Sequence, residues 1–147
     1  MVDDPVTTMQ KHKQNVIHSE RRIAGGAVLY GQFVKIGATD NHVVAATLNS
    51  QNLGVALNAV TAAQVTAFAS NSDLIATVEV EVAVVGVVPV LAGGALTGGG
   101  FVKSDANGRA IAVAGDGTDE ICGKVLVDAS TDGKETHVLL LFQDATD

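Results

Sequence analysis

The side chains best suited to bind a metal or pass a proton are four histidines, His12, His18, His42 and His137, and their spacing decides whether either chemistry is open to the chain. No two of them lie one helical turn apart, and no cysteine joins them in a zinc pattern, so a histidine metal site is not expected. Cys122 is the only cysteine. It precedes Gly123 in an apolar stretch with no base beside it, which fits a small packed hydrophobe better than a nucleophile. Glu79 and Glu81 project to one side of a predicted strand, where two carboxylates could divide the roles of acid and base. Alternation of this kind more often marks a solvated face.

Asp105-Ala106-Asn107-Gly108 and Asp116-Gly117-Thr118-Asp119-Glu120 resemble pieces of calcium loops, but neither carries the downstream glutamate of a full loop. Asp, Asn and Gly are equally the residues of hairpin turns, and a turn is expected at both places. The run Gly93 to Gly100 invites comparison with a phosphate loop. No Gly-Lys-Ser/Thr follows it, Lys103 falls inside a predicted strand, and the strand-turn-helix context is missing, so a tight β turn is predicted instead. The chain is therefore expected to hold no metal or cofactor and not to be an enzyme.

The elements that would position these groups are organised around a repeat. Gly26-Ala27-Val28-Leu29-Tyr30-Gly31-Gln32-Phe33-Val34-Lys35 returns 68 residues later as Gly94-Ala95-Leu96-Thr97-Gly98-Gly99-Gly100-Phe101-Val102-Lys103. Each copy continues through a polar turn and a short apolar run. Each then closes on a Gly-centred strand, Leu53-Gly54-Val55-Ala56-Leu57 and Ile121-Cys122-Gly123-Lys124-Val125-Leu126-Val127, so the copies span 26–57 and 94–127. One supersecondary unit used twice predicts a duplicated half-barrel or half-sandwich.

Between the copies, residues 58–73 change period. Val60, Ala63, Ala67 and Phe68 recur at helical spacing, Asn58 can cap, and Thr61-Ala62-Ala63-Gln64 has the form of a capping box, which predicts one helix. From Ile75 the period becomes two, with Val78, Val80 and Val82 inward and the two glutamates outward. Val84 to Val90 reads as a more buried strand that Pro89 restricts to an edge or an end. His137 to Phe142 is the last strand and should do for the second copy what Val78 to Val90 does for the first. The fold class expected is mainly β: a compact β-barrel or β-sandwich built from two related halves, with one short helix and an extended N-terminal arm.

The 147 residues suit one domain, and 47% hydrophobic against 3% aromatic content, with no Trp, predicts a core of Val, Ala, Leu and Ile. Net charge is −7, but residues 1–22 hold three acids and four bases, leaving thirteen acids and five bases in residues 23–147. A body this acidic repels a phosphate backbone, so nucleic acid is not an expected partner. Residues 1–22 lack the apolar centre of a secretory signal, and the run Val82 to Leu96 is broken by glycines and Pro89, so a soluble chain with no membrane partner is expected. Residues 1–22 read as an arm that could reach about 70 Å fully extended. Lys11, Lys13, Arg21 and Arg22 are its candidate partner-binding residues, placed to dock on an acidic neighbour, and removing the arm should leave the 23–147 domain folded.

Gly-x-Phe-Val-Lys, the polar turn, Leu53-Gly54-Val55-Ala56-Leu57, the Val-x-Val-x-Val strand, Gly86-Val87-Val88-Pro89-Val90 and Ala92-Gly93-Gly94-Ala95-Leu96-Thr97-Gly98-Gly99 together resemble the capsid cement, or head decoration, proteins of tailed bacteriophages. The likeness runs from about Ile23 to Phe142. Family members often have Gly-Asp ahead of the Val-rich strand, where this chain has Gly31-Gln32 and Gly99-Gly100. The resemblance implies a β-rich virion protein on the outer surface of the head, a homotrimer that bridges neighbouring copies of the major capsid protein and stabilises the expanded shell. The other function considered is a carbohydrate-binding or adhesive β module, for which Tyr30 and four Phe offer few sugar-stacking rings.

Overall fold

The computed structural model describes residues 16–38, 41–69, 78–114 and 119–144. In chain order the elements are β1 (Val16–Ala24), β2 (Phe33–Ile36), β3 (His42–Ala45), β4 (Gly54–Ala56), α1 (Ala62–Ala69), β5 (Glu79–Leu91), β6 (Phe101–Ser104), β7 (Ala110–Ala112), β8 (Glu120–Val125) and β9 (Glu135–Asp144). The nine strands form one hydrogen-bonded order, β1-β3-β2-β4-β5-β9-β8-β6-β7, and β1 also pairs with β5. The mainly β class and the single short helix are as expected.

The repeat is visible bond by bond. Phe33 opposes Val55 and Val34 opposes Gly54 in β2–β4, while Phe101 opposes Lys124 and Val102 opposes Gly123 in β6–β8. Before each of these strands the chain turns through a left-handed glycine, Gly31 at φ 80° and Gly99 at φ 91°, whose N–H donates to Ala56 and Val125 respectively. Ahead of the turn Val28 exchanges backbone hydrogen bonds with Val60, as Leu96 does with Ala129. Gly54 and Gly123 occupy one position: a Cβ would stand 2.1 Å from the Ala83 carbonyl oxygen in the first copy and 2.6 Å from that of Leu139 in the second. Only glycine lets the neighbouring strand approach so closely.

The structure extends the repeat beyond the residues in which it can be read. Val16–Ala24 is the counterpart of residues 84–92: Ile23 opposes Glu79 as Leu91 opposes Glu135, and Ser19 opposes Ala83 as Val87 opposes Leu139. Ala24 pairs in parallel with Val43, and Ala92 with Ala110. β5 therefore serves twice, its first half closing unit one and its second half opening unit two. Each unit is a circuit of five strand segments, and the halves share a strand instead of facing each other as separate sheets. Residues 16–22, assigned to an arm in the sequence, lie in β1 and pair with β5 along their length. Their polarity hides the strand, because Glu20 and Arg22 stand opposite the buried Val82 and Val80.

The helix begins where the capping box places it. The Thr61 N–H donates to Gln64 Oε1 at 2.8 Å and the Gln64 N–H to Thr61 Oγ1 at 3.2 Å. Asn58 does not cap. Its Nδ2 donates to the Glu79 carbonyl and its Oδ1 accepts from the Glu81 N–H, tying the β4 exit to β5. Pro89 lies two residues from the end of β5, at a point where the ladder partner is β9 alone and the other side meets the Gly31 turn, so its missing N–H leaves no gap.

Two aliphatic clusters fill the units. Ala24, Val28, Val34, Val43, Val80 and Val82 lead the first. The second contains Val88, Val90, Val102, Val125 and Val138 together with Phe33, Val55 and Ala83, which come from unit one. Unit one is thus seated on unit two through its Phe33-Val55-Ala83 row, fully buried, while Phe33 N–H donates to the Gly108 carbonyl at 2.8 Å and Leu91 N–H to that of Gly31 at 2.8 Å. The loop after β3 completes the seat. Ser104 Oγ donates to the Thr47 carbonyl at 2.7 Å, Asn49 N–H to the Ser104 carbonyl at 3.0 Å, and Glu120 N–H to Asn49 Oδ1 at 2.7 Å.

Candidate functional site

The residues that could have done chemistry are employed in holding the fold. Among the described residues no three His, Cys, Asp or Glu side chains come together as a metal set. His12 lies outside the described residues, His18 stands on β1 with Nε2 3.5 Å from Glu20, His42 opens β3 and His137 lies in β9 opposite Pro89. Asp105 closes its own turn, Oδ1 accepting the N–H groups of Asn107 at 2.8 Å and Arg109 at 2.9 Å. The expected second turn falls partly outside the described residues, but Asp119 is buried and bound by Lys103 Nζ at 2.6 Å. Cys122 is buried at the seam between the units, where Asn52 Nδ2 donates to its sulfur at 3.0 Å. Burial pushes this thiol up to about 11, so it stays protonated at neutral pH. The run from Gly93 to Gly100 leads into β6, not into a helix, which removes the anion site of a phosphate loop.

Of the four cations assigned to partner binding, Lys11 and Lys13 lie outside the described residues. Arg21 and Arg22 belong to β1. Arg21 Nη1 stands 3.6 Å from Glu79, and Arg22 donates to Glu20 at 2.5 Å and to Asn41 Oδ1 at 3.2 Å. Glu20 is held below the usual carboxylate range, first by its hydrogen bond from Arg22 and then by that from His18. Ser19 Oγ adds a bond to Glu81 at 2.9 Å. This polar outer strand covers the first unit where Val88 and Val90 have the same places in the second.

Phe101, the counterpart of the buried Phe33, is 47% exposed, and the row it heads continues through Lys124, Leu139 and Val87 on neighbouring strands. At the opposite end of the chain's repeat, Ile36 is 62% exposed beside a pocket of about 500 Å³ lined by Lys35, Ile36, Ser50, Gln51, Asn52 and Leu53. Neither surface was marked out in the sequence. A comparison of the two copies supplies the signal, because the row that unit one buries against unit two is left partly exposed in unit two among the described residues.

The chain matches the model of a protein family described as structural cement protein (E217 gp24/Pam3 gp6) over residues 7–140. That match takes in almost the whole sequence. The chain belongs to this family. It is a structural protein of the phage capsid, and the role of the cement family is structural, not enzymatic. Among solved structures the cement chain is similar to the head fiber gp8.5 N base of bacteriophage phi29, with a TM-score of 0.63 and 16% identity, covering 84% of this chain and 93% of that one. Identity so low shows a shared fold alone. A search of curated proteins finds no match. No helix of the described residues is long and apolar enough to cross a membrane.

Proposed function

We propose that this protein attaches to the outer surface of a phage head, as a homotrimer bridging neighbouring major capsid subunits, and holds the expanded shell against internal pressure. Membership of the cement family across residues 7–140 carries the reading. Its support in the fold is chemical: Asp105 closes its own turn and Asp119 is held by Lys103, while Leu29, Ile36, Leu48 and Phe101 remain on the surface. Such surfaces join proteins. A trimer engaging several capsid subunits multiplies small contacts by avidity, so each need contribute only about a few kcal/mol. Residues 1–15, with Lys11 and Lys13, dock on an acidic neighbour and lengthen the reach of each copy.

Expanded heads lacking the protein test this reading. Added protein should bind saturably and raise the temperature at which heads release DNA; heads that take up none would overturn it. Removing residues 1–15 should weaken attachment and leave the fold intact. Removing 1–22 should also unfold unit one, since it takes away most of β1.

A further inference from the structure

We infer that copies of this protein join head to tail, the Phe101 end of one copy seated on the Ile36 end of the next. The contact repeats between chains the one that unit one makes with unit two inside the chain. Inside, the row Phe33-Val55-Ala83 is fully buried, and Ser104, Glu120 and Cys122 receive the loop that carries Thr47, Asn49 and Asn52. Unit two presents the same row as Phe101-Lys124-Leu139, in which Lys124 is exposed, Phe101 is half exposed and Leu139 is partly buried. Unit one presents the same receiving site: Ile36, Gln51 and Leu53 are the counterparts of Ser104, Glu120 and Cys122, and they line the 500 Å³ pocket. Each unit therefore keeps open one half of an interface whose complete form lies between them.

The residues that differ between the internal contact and its open halves differ in compensating ways. Inside, Gln32 meets Gly108, where an added Cβ would lie 2.7 Å from the glutamine Cγ. At the ends the sizes are exchanged: Gly100 replaces Gln32 on the presented side, and Asn41 replaces Gly108 on the receiving side. Asn41 keeps the left-handed backbone of that turn, φ 64° against 74°. Inside, Val55 shares an apolar cluster with Val88 and Val90. At the ends Lys124 replaces Val55, and the Glu20–Arg22 ion pair replaces the two valines, so apolar packing gives way to charge on both sides and Lys124 meets a carboxylate shared with Arg22. Neither end suits a copy of itself. Heterologous contacts of this kind close into rings when the rotation permits, and a ring of three leaves no end open. This inference deepens the proposed trimer and rests on that reading for its ring size.

Light scattering of the full free chain over a range of concentrations tests it without heads. The wild type should assemble into a closed oligomer. Phe101→Glu and Ile36→Glu, both at exposed positions, should fold with unchanged circular dichroism, and each alone should raise the dissociation constant by about thirtyfold, the effect of losing one buried anchor. Mixed in equal amounts, the two variants should form a dimer and nothing larger, because one matched pair of ends remains. Lys124→Glu should weaken assembly, and Glu20→Lys in a second chain should restore pairing with it. A monomeric wild type, assembly of Ile36→Glu equal to wild type, or no dimer on mixing would overturn the inference. Assembly that appears only after residues 1–15 are removed would assign the pocket to that segment and overturn it too. Head binding is measured separately, so a monomer that still binds heads sinks this inference alone.

Discussion

Phe33 and Phe101 occupy one place in the repeat and differ only in what lies beyond them, which makes their alanine variants a controlled pair. The Phe33 ring is fully buried among the side chains of unit two, and its removal leaves the Gly108 backbone bond in place. Loss of a buried phenylalanine costs about 3 to 5 kcal/mol, the transfer of the ring plus the cavity it leaves. For a chain of this size each kcal/mol moves the melting temperature by about 2 to 4 °C, so Phe33→Ala should melt roughly 6 to 20 °C below wild type. Phe101 is 47% exposed in the free chain, and Phe101→Ala should cost about 1 kcal/mol or less. Urea unfolding and scanning calorimetry, run where light scattering reports a monomer, read both. Equal losses for the two variants would refute the claim that the units are seated through Phe33, and a small loss for Phe33→Ala would refute the burial itself.

Three further outcomes follow from individual side chains. Gly123→Ala places a Cβ 2.3 Å from Val138 Cγ1 and 2.6 Å from the Leu139 carbonyl oxygen, so β8 and β9 must part; the variant should unfold at urea concentrations well below wild type, and Gly54→Ala should behave likewise. Native Cys122 should react with a thiol reagent at pH 8 at least about a hundredfold more slowly than the urea-unfolded chain, because it is both covered and raised to about 11. Glu20 has a folded-state pKa below its usual value of 4.5, so its contribution to stability is present above about pH 4.5 and is lost as pH falls through the lowered folded value. Urea midpoints of wild type and Glu20→Gln should therefore converge as pH drops from 7 to 3, and a constant difference would rule out the assigned partners.

The duplicated unit was legible because its demands are local. Gly31 and Gly99 stand where the backbone must turn left-handed, Gly54 and Gly123 where a neighbouring strand leaves no room for a Cβ, and neither requirement depends on the rest of the fold. The helix was legible for the same reason, through the Thr61–Gln64 box. Asn58 misled, since a side chain that can cap a helix can equally bond a passing strand, and only the position of β5 decides between them. The resemblance to capsid cement proteins was legible in the same glycine and valine pattern, and the family match over residues 7–140 bears it out.

What the amino-acid order determined alone was the mainly β class, the aliphatic core, the glycine turns and the doubling of the unit. Tertiary structure decided that Val16–Ala24 is a strand of the first unit, because pairing with β5 satisfies its backbone whatever the polarity of its side chains. It also decided the fates of Phe33 and Phe101. Identical local sequence, Phe-Val-Lys in both, leads to a buried ring in one copy and an exposed ring in the other, since burial depends on which surface comes to rest against the residue and that surface lies dozens of residues away.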